Sequence, residues 1–189
     1  KKFQEKLKYH SIEIQDNGTN LSQKRYPQRT LKRSVVLCGS SLHSGINTGL
    51  ILQPMPAGSG IIFGDIASGK TIPAQLENVQ STDYSTCLKK GVNSVGTIEH
   101  IMATLHMYRV TNLLIKIGDE APVMDGSAKD FCELLEDGEF EEQDDFYEEI
   151  VVDKIYSFGD KDKGEPYISI EPSEKFSVSY HMEYPEPIG

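Results

Sequence analysis

Cysteine is scarce in this 189-residue chain: Cys38, Cys87 and Cys132 are odd in number, widely spaced and form no CxxC pair. They read as buried free thiols in a reducing compartment, which favours the cytoplasm. No window approaches the roughly 18 apolar residues that a membrane helix requires. Residues 1–20 contain no apolar segment of the kind a signal peptide needs. HExxH is absent, and so is a GxSxG nucleophile turn. The chain does not begin with Met, so its start reads as processed or clipped.

Charge of one sign is missing from one stretch and scarce in another. Residues 130–149 hold eleven acids and no Lys or Arg, whereas residues 1–33 hold nine Lys/Arg against three acids. The net charge of −10 therefore belongs to one segment and does not describe the whole surface. Runs of this kind are mostly solvated tails or loops. The basic end has no aromatic interleaving and no motif, so nucleic acid is not an expected partner.

What is present is the pattern of an α+β protein. Residues 1–27 lack sustained periodicity and read as an extension or linker. Strands are expected over residues 30–38, 48–53, 60–63 and 72–76, with a hairpin of 85–88 and 92–95 about Lys89-Lys90-Gly91. Residues 97–108 place Ile98, Ile101, Met102 and Leu105 on one helical face, with Thr97 as N-cap. A strand over 112–117 follows. The turn Asp125-Gly126-Ser127 then leads into a helix over 127–135. This order predicts a two-layer sandwich over 28–138, a mostly antiparallel or mixed sheet with two helices on one face. An acidic linker over 139–149 separates it from strands at 150–158, 166–170 and 176–183. Those read as the start, over 150–189, of an incomplete second domain of similar type.

Few residues stand out as chemistry. Glu99 and His100 open the first predicted helix, off its apolar stripe, where a side chain can face a cleft. Position alone also allows a plain role, because a Glu in a first turn complements the helix dipole. His100 and His106 are about 240° apart around the axis and cannot share a metal. If His100 binds a metal, the other ligands come from elsewhere in the fold. His43 lies in a small-residue loop after a strand, either lining a site or merely exposed.

Several segments together resemble the UDP-3-O-acyl-N-acetylglucosamine deacetylase family. They are Gln28-Arg29-Thr30-Leu31-Lys32, Leu42-His43-Ser44-Gly45, Val95-Gly96-Thr97-Ile98-Glu99-His100-Ile101-Met102-Ala103, Thr111-Asn112-Leu113-Leu114-Ile115 and Ala121-Pro122-Val123-Met124-Asp125-Gly126-Ser127-Ala128. Order and spacing agree from about residue 28 to the C-terminus. The resemblance implies two similar α+β domains with an active site between them. It implies zinc as cofactor and a UDP-sugar acyl substrate. The implied reaction is hydrolysis of the N-acetyl group of UDP-3-O-(3-hydroxyacyl)-N-acetylglucosamine, the committed step towards lipid A. It places the general base at Glu99, one zinc ligand at His100, and His43, Tyr84 and Ser85 along the substrate cleft.

The family's other zinc ligands, a His and an Asp, lie far downstream, as do a Lys and a His that act on the oxyanion and leaving group. The chain is therefore expected to be a fragment that is inactive alone. Ser41 stands where the family usually has Gly, which is expected to tighten or reshape the turn before His43. The alternative is a non-catalytic binding or regulatory module that keeps only the first domain. Intact Glu99 and His100 favour the deacetylase.

Overall fold

A computed structural model describes residues 12–14, 23–184 and 186–187. It forms two compact units, residues 1–149 and residues 150–189. The elements of the first are strands β1 (Ile12–Ile14), β2 (Gln23–Leu31), β3 (Val35–Ser40), β4 (Asn47–Pro54), β5 (Ile61–Asp65), β6 (Thr71–Pro73), β7 (Val79–Ser81), β8 (Cys87–Lys90), β9 (Asn93–Val95), β10 (Leu113–Ile117) and β11 (Phe140–Glu148). Its helices are α1 (Glu99–Met107) and α2 (Lys129–Gly138).

The main sheet has the order β3-β4-β10-β5-β6, with β10 and β5 parallel and every other neighbour antiparallel. Alternation along the central strands sorts its two faces. Leu50 and Leu52 on β4 and Leu113, Ile115 and Ile117 on β10 are buried. They join one core with Ile101 and Leu105 of α1 and Phe131, Leu134 and Leu135 of α2. Each such side chain contributes about 1.5–3 kcal/mol by leaving water. This is the expected α+β two-layer arrangement of a mixed sheet with two helices on one face.

The acidic segment 139–149, expected as a linker, contains β11. It pairs antiparallel with β2, which itself crosses the expected boundary at residue 27. The physical reason is charge and ring complementarity between the two extreme segments of the sequence. Arg25 meets Glu148 at 2.7 Å, Arg29 meets Glu142 at 2.8 Å and Lys32 meets Glu139 at 3.0 Å. Tyr26 stacks on Tyr147 with centroids 5.8 Å apart. A register shift between Glu142 and Phe146 accommodates Pro27, which has no N–H for the ladder. Of the extension expected over 1–27, Ile12–Ile14 pairs with Gln23–Arg25, and residues 1–11 and 15–22 lie outside the described residues.

A buried amide fastens β2 and β11 to the main sheet. Asn112 is 1% exposed. Its Nδ2 donates to Gln28 Oε1 at 2.8 Å and to Gln143 Oε1 at 2.7 Å, and its Oδ1 accepts the Gly60 N–H at 2.9 Å. Thr30 Oγ1 donates to the Asn112 carbonyl at 2.6 Å and accepts the Met55 N–H at 3.1 Å. Gln28, Thr30, Thr111 and Asn112, prominent in the sequence motifs, thus serve the architecture.

Other expectations need correction. Cys38 is exposed and Cys87 and Cys132 are half-buried, all as free thiols, so none is a fully buried core residue. Residues 150–189 contain two short antiparallel strands, β12 (Tyr156–Phe158) and β13 (Ile168–Ile170). Residues 176–183 form no strand, because they find no hydrogen-bonded neighbour among the described residues. Among the described residues no helix is long and apolar enough to cross a membrane.

Candidate active site

The helix carrying Glu99 and His100 begins in an unusual turn. Thr97 is not its N-cap as expected: it is 2% exposed and has φ of 58°. A β-branched residue rarely adopts that conformation. The cap position belongs to Ile98, which makes no side-chain capping bond. Thr97 is held instead from outside the helix, where its Oγ1 donates to Glu120 Oε1 at 3.3 Å. Gly96 on one side is bridged to the strand end at residues 119–121, its N–H donating to the Asp119 carbonyl at 2.9 Å and its carbonyl accepting the Ala121 N–H at 3.0 Å.

This turn aims Glu99 towards the segment before β8. The Thr86 N–H donates to Glu99 Oε2 at 3.1 Å. Ser85 lies beside the same turn, with its Oγ 3.8 Å from where a side chain on Gly96 would begin. Tyr84 stands at the rim, 95% exposed and at φ of 59°. His100 is half-buried next to Glu99, and its carbonyl accepts the Thr104 hydroxyl at 2.8 Å. Glu99, His100 and Ser85 are thus gathered at one end of the sheet–helix sandwich.

His43 reaches this end through a residue that the sequence motifs passed over. Glu120 Oε1 accepts the His43 N–H at 2.8 Å, and Oε2 accepts the Ser44 N–H at 3.0 Å. Burial alone would push the Glu120 carboxyl up. The His43 N–H, the Ser44 hydroxyl and N–H and the Thr97 hydroxyl outweigh it and hold the carboxyl below its ordinary value. The available signal in the sequence was an acid immediately before the Ala121-Pro122 motif, three residues past a predicted strand.

Ser41 carries no left-handed strain in this loop. The left-handed position in this loop is Gly45, at φ of 66°, whereas Ser41 is outside that region. Ser41 is 4% exposed, donates its N–H to the Ile46 carbonyl at 2.9 Å and is bridged to Pro122. The Met124-Asp125-Gly126-Ser127 turn packs on the same strand end. A side chain at Gly39 would overlap the Met124 thioether, so the glycine lets Met124 pack directly against that strand. Asp125 Oδ1 accepts the N–H and hydroxyl of Ser127 at 2.9 and 2.7 Å. This is the turn chemistry expected for that motif, although α2 starts two residues later than predicted.

His100 presents one half-buried imidazole suited to zinc, beside a carboxylate suited to proton transfer. Among the described residues no three His, Cys, Asp or Glu side chains converge to hold a metal ion. The described residues therefore fit zinc as contributors of one donor and do not complete its coordination.

The family described as UDP-3-O-acyl N-acetylglycosamine deacetylase matches residues 28–189. The chain is similar to proteins named UDP-3-O-acyl-N-acetylglucosamine deacetylase. That of Myxococcus xanthus (strain DK1622) is 38% identical over 166 residues, covering 86% of this chain and 52% of the relative. That of Geotalea uraniireducens is 37% identical over 164 residues, covering 85% and 52%. That of Helicobacter hepaticus is 33% identical over 162 residues, covering 85% and 53%. The chain spans about half the length of the curated relatives it matches. A match over most of its length, with the Thr97–His100 turn, the His43 loop and the Met124–Ser127 turn assembled at one end of the fold, shows that this chain belongs to the UDP-3-O-acyl N-acetylglycosamine deacetylase family.

Proposed function

We propose that this chain supplies the general base and one metal ligand of a zinc-dependent deacetylase. The substrate is UDP-3-O-(3-hydroxyacyl)-N-acetylglucosamine, and loss of its N-acetyl group is the committed step of lipid A biosynthesis. The observation that carries the reading is the Glu99–His100 pair at the mouth of α1. Neither side chain is spent on the core, and the Glu99 carboxylate is oriented by the Thr86 N–H.

Zinc, when bound, polarises an amide carbonyl and acidifies a water molecule. In this reading His100 holds it, together with donors from elsewhere in the complete enzyme. Glu99 takes the proton of the attacking water on one carboxylate oxygen while Thr86 holds the other. Ser85, Tyr84 and the His43 loop border the cleft that receives the sugar. The 189-residue chain alone does not hydrolyse the substrate, because one imidazole does not retain zinc. The three free thiols support a cytoplasmic location.

The test joins this chain to the C-terminal half of a relative and measures deacetylation and bound zinc in wild type, Glu99→Ala and His100→Ala. A folded, zinc-loaded Glu99→Ala protein with full activity overturns the assignment.

A further inference from the structure

The Glu120 side chain touches both the His43 loop and the turn before α1. It spends both carboxylate oxygens on this task. Oε2 accepts the Ser44 N–H, and Oε1 accepts the His43 N–H and the Thr97 hydroxyl. The two loop amides are consecutive, so the carboxylate fixes the orientation of that backbone as well as its position. Thr97 is the buried residue whose left-handed backbone sets the direction in which Glu99 and His100 leave the turn. Such strain persists only where surrounding contacts over-determine it. The Thr97–Glu120 bond is one of those contacts, and the bridge from Gly96 to Glu120 is another.

We propose that Glu120 is a positioning residue, its carboxylate setting the His43 loop against the turn that carries Glu99 and His100. The proposal rests on the reading of Glu99 and His100 as the reactive pair. Glu120 moves no proton and touches no substrate. It acts through Thr97 on the base and the ligand, and through two backbone amides on the cleft loop. One charged group then holds the cleft wall and the chemistry in register.

The test is NMR on the labelled 189-residue chain, comparing wild type, Glu120→Ala and Glu120→Gln. Glu120→Ala is expected to speed hydrogen exchange at the His43 and Ser44 amides by about tenfold or more. It is also expected to move the Thr86 amide signal, which reports the Glu99 carboxylate, and the His100 ring signals. The amides of Leu50, Leu52 and Ile115 are expected to stay unchanged. Glu120→Gln keeps one acceptor oxygen and is expected to recover part of both effects; if the alanine variant does not fold, this variant decides the question alone.

Released His43 and Ser44 amides with unmoved Thr86 and His100 signals overturn the proposal, since Glu120 would then only pin a loop. Unchanged His43 and Ser44 amides overturn it as well. These signals do not depend on deacetylation. If Glu99→Ala leaves the enzyme active, the reading of the chemistry fails while the coupling through Glu120 stands or falls on its own result.

Discussion

The Thr86 N–H donates to the Glu99 carboxylate at 3.1 Å, which ties the first residue of α1 to the segment just before β8. One oxygen of Glu99 is thereby held, and under the proposed reading the other takes the proton of the attacking water. In an enzyme that joins this chain to the C-terminal half of a relative, Glu99→Ala is expected to lower kcat by about 10²–10⁴-fold, the usual contribution of a positioned general base. Zinc content is expected to stay at the wild-type level. His100→Ala is expected to lower both zinc content and kcat. His43→Ala is expected to have a smaller effect, because no proton transfer is assigned to it. Metal analysis paired with steady-state kinetics distinguishes the three.

The 189-residue chain by itself is expected to carry no stoichiometric zinc after gel filtration. A single imidazole is far short of the three protein ligands of a catalytic zinc site. Equimolar zinc that survives the column and is lost in His100→Ala overturns this expectation.

Asn112 gives the fold a sensitive point that is remote in sequence from most of its partners. Asn112→Leu is nearly the same size but leaves the Gly60 N–H and Gln143 Oε1 without their Asn112 partner, while Gln28 Oε1 keeps the Gly58 N–H. Each buried group left unpaired costs about 1–3 kcal/mol. A loss of about 3 kcal/mol, or roughly 6–12 °C in Tm for a domain of this size, is expected in thermal melts. A Tm within about 1 °C of wild type would show that water replaces the amide at no cost.

Glu120 also sets a direction for pH. Its folded-state pKa lies below the ordinary carboxylate value of about 4.3. The clamp therefore contributes fully above about pH 4.3, and that contribution is lost as pH falls through the lower folded-state pKa. Urea midpoints are expected to fall more steeply with acid in wild type than in Glu120→Gln. Parallel acid limbs in the two proteins contradict this.

Hydrogen exchange is expected to separate the two units. Amides of β4, β10, α1 and α2 lie in or beside a dry core. In residues 150–189, Ile155 is 65% exposed, Ile168 63% and Val178 77%. Slow exchange over residues 30–135 and fast exchange after residue 150 is the expected result. Equal protection in a monomer overturns it.

The sequence by itself determined the elements with strong local signals. The stripe of Ile98, Ile101, Met102 and Leu105 set α1, short apolar runs set β4 and β10, and Asp125-Gly126-Ser127 set a turn. Position off the apolar stripe left Glu99 and His100 open to a plain role, and the resemblance of the surrounding motifs to a known family is what singled them out. Tertiary structure decided what depends on partners far away in the chain. The acidic run reads as a linker alone and becomes β11 because the basic strand β2 neutralises it across more than a hundred residues. Thr97 reads as an ordinary helix cap and is a left-handed turn held by Glu120 from the segment after β10. Glu120 has no periodic or local signal of its own, since its role lies in donors from the His43 loop and Thr97 that only the folded chain brings to one carboxylate.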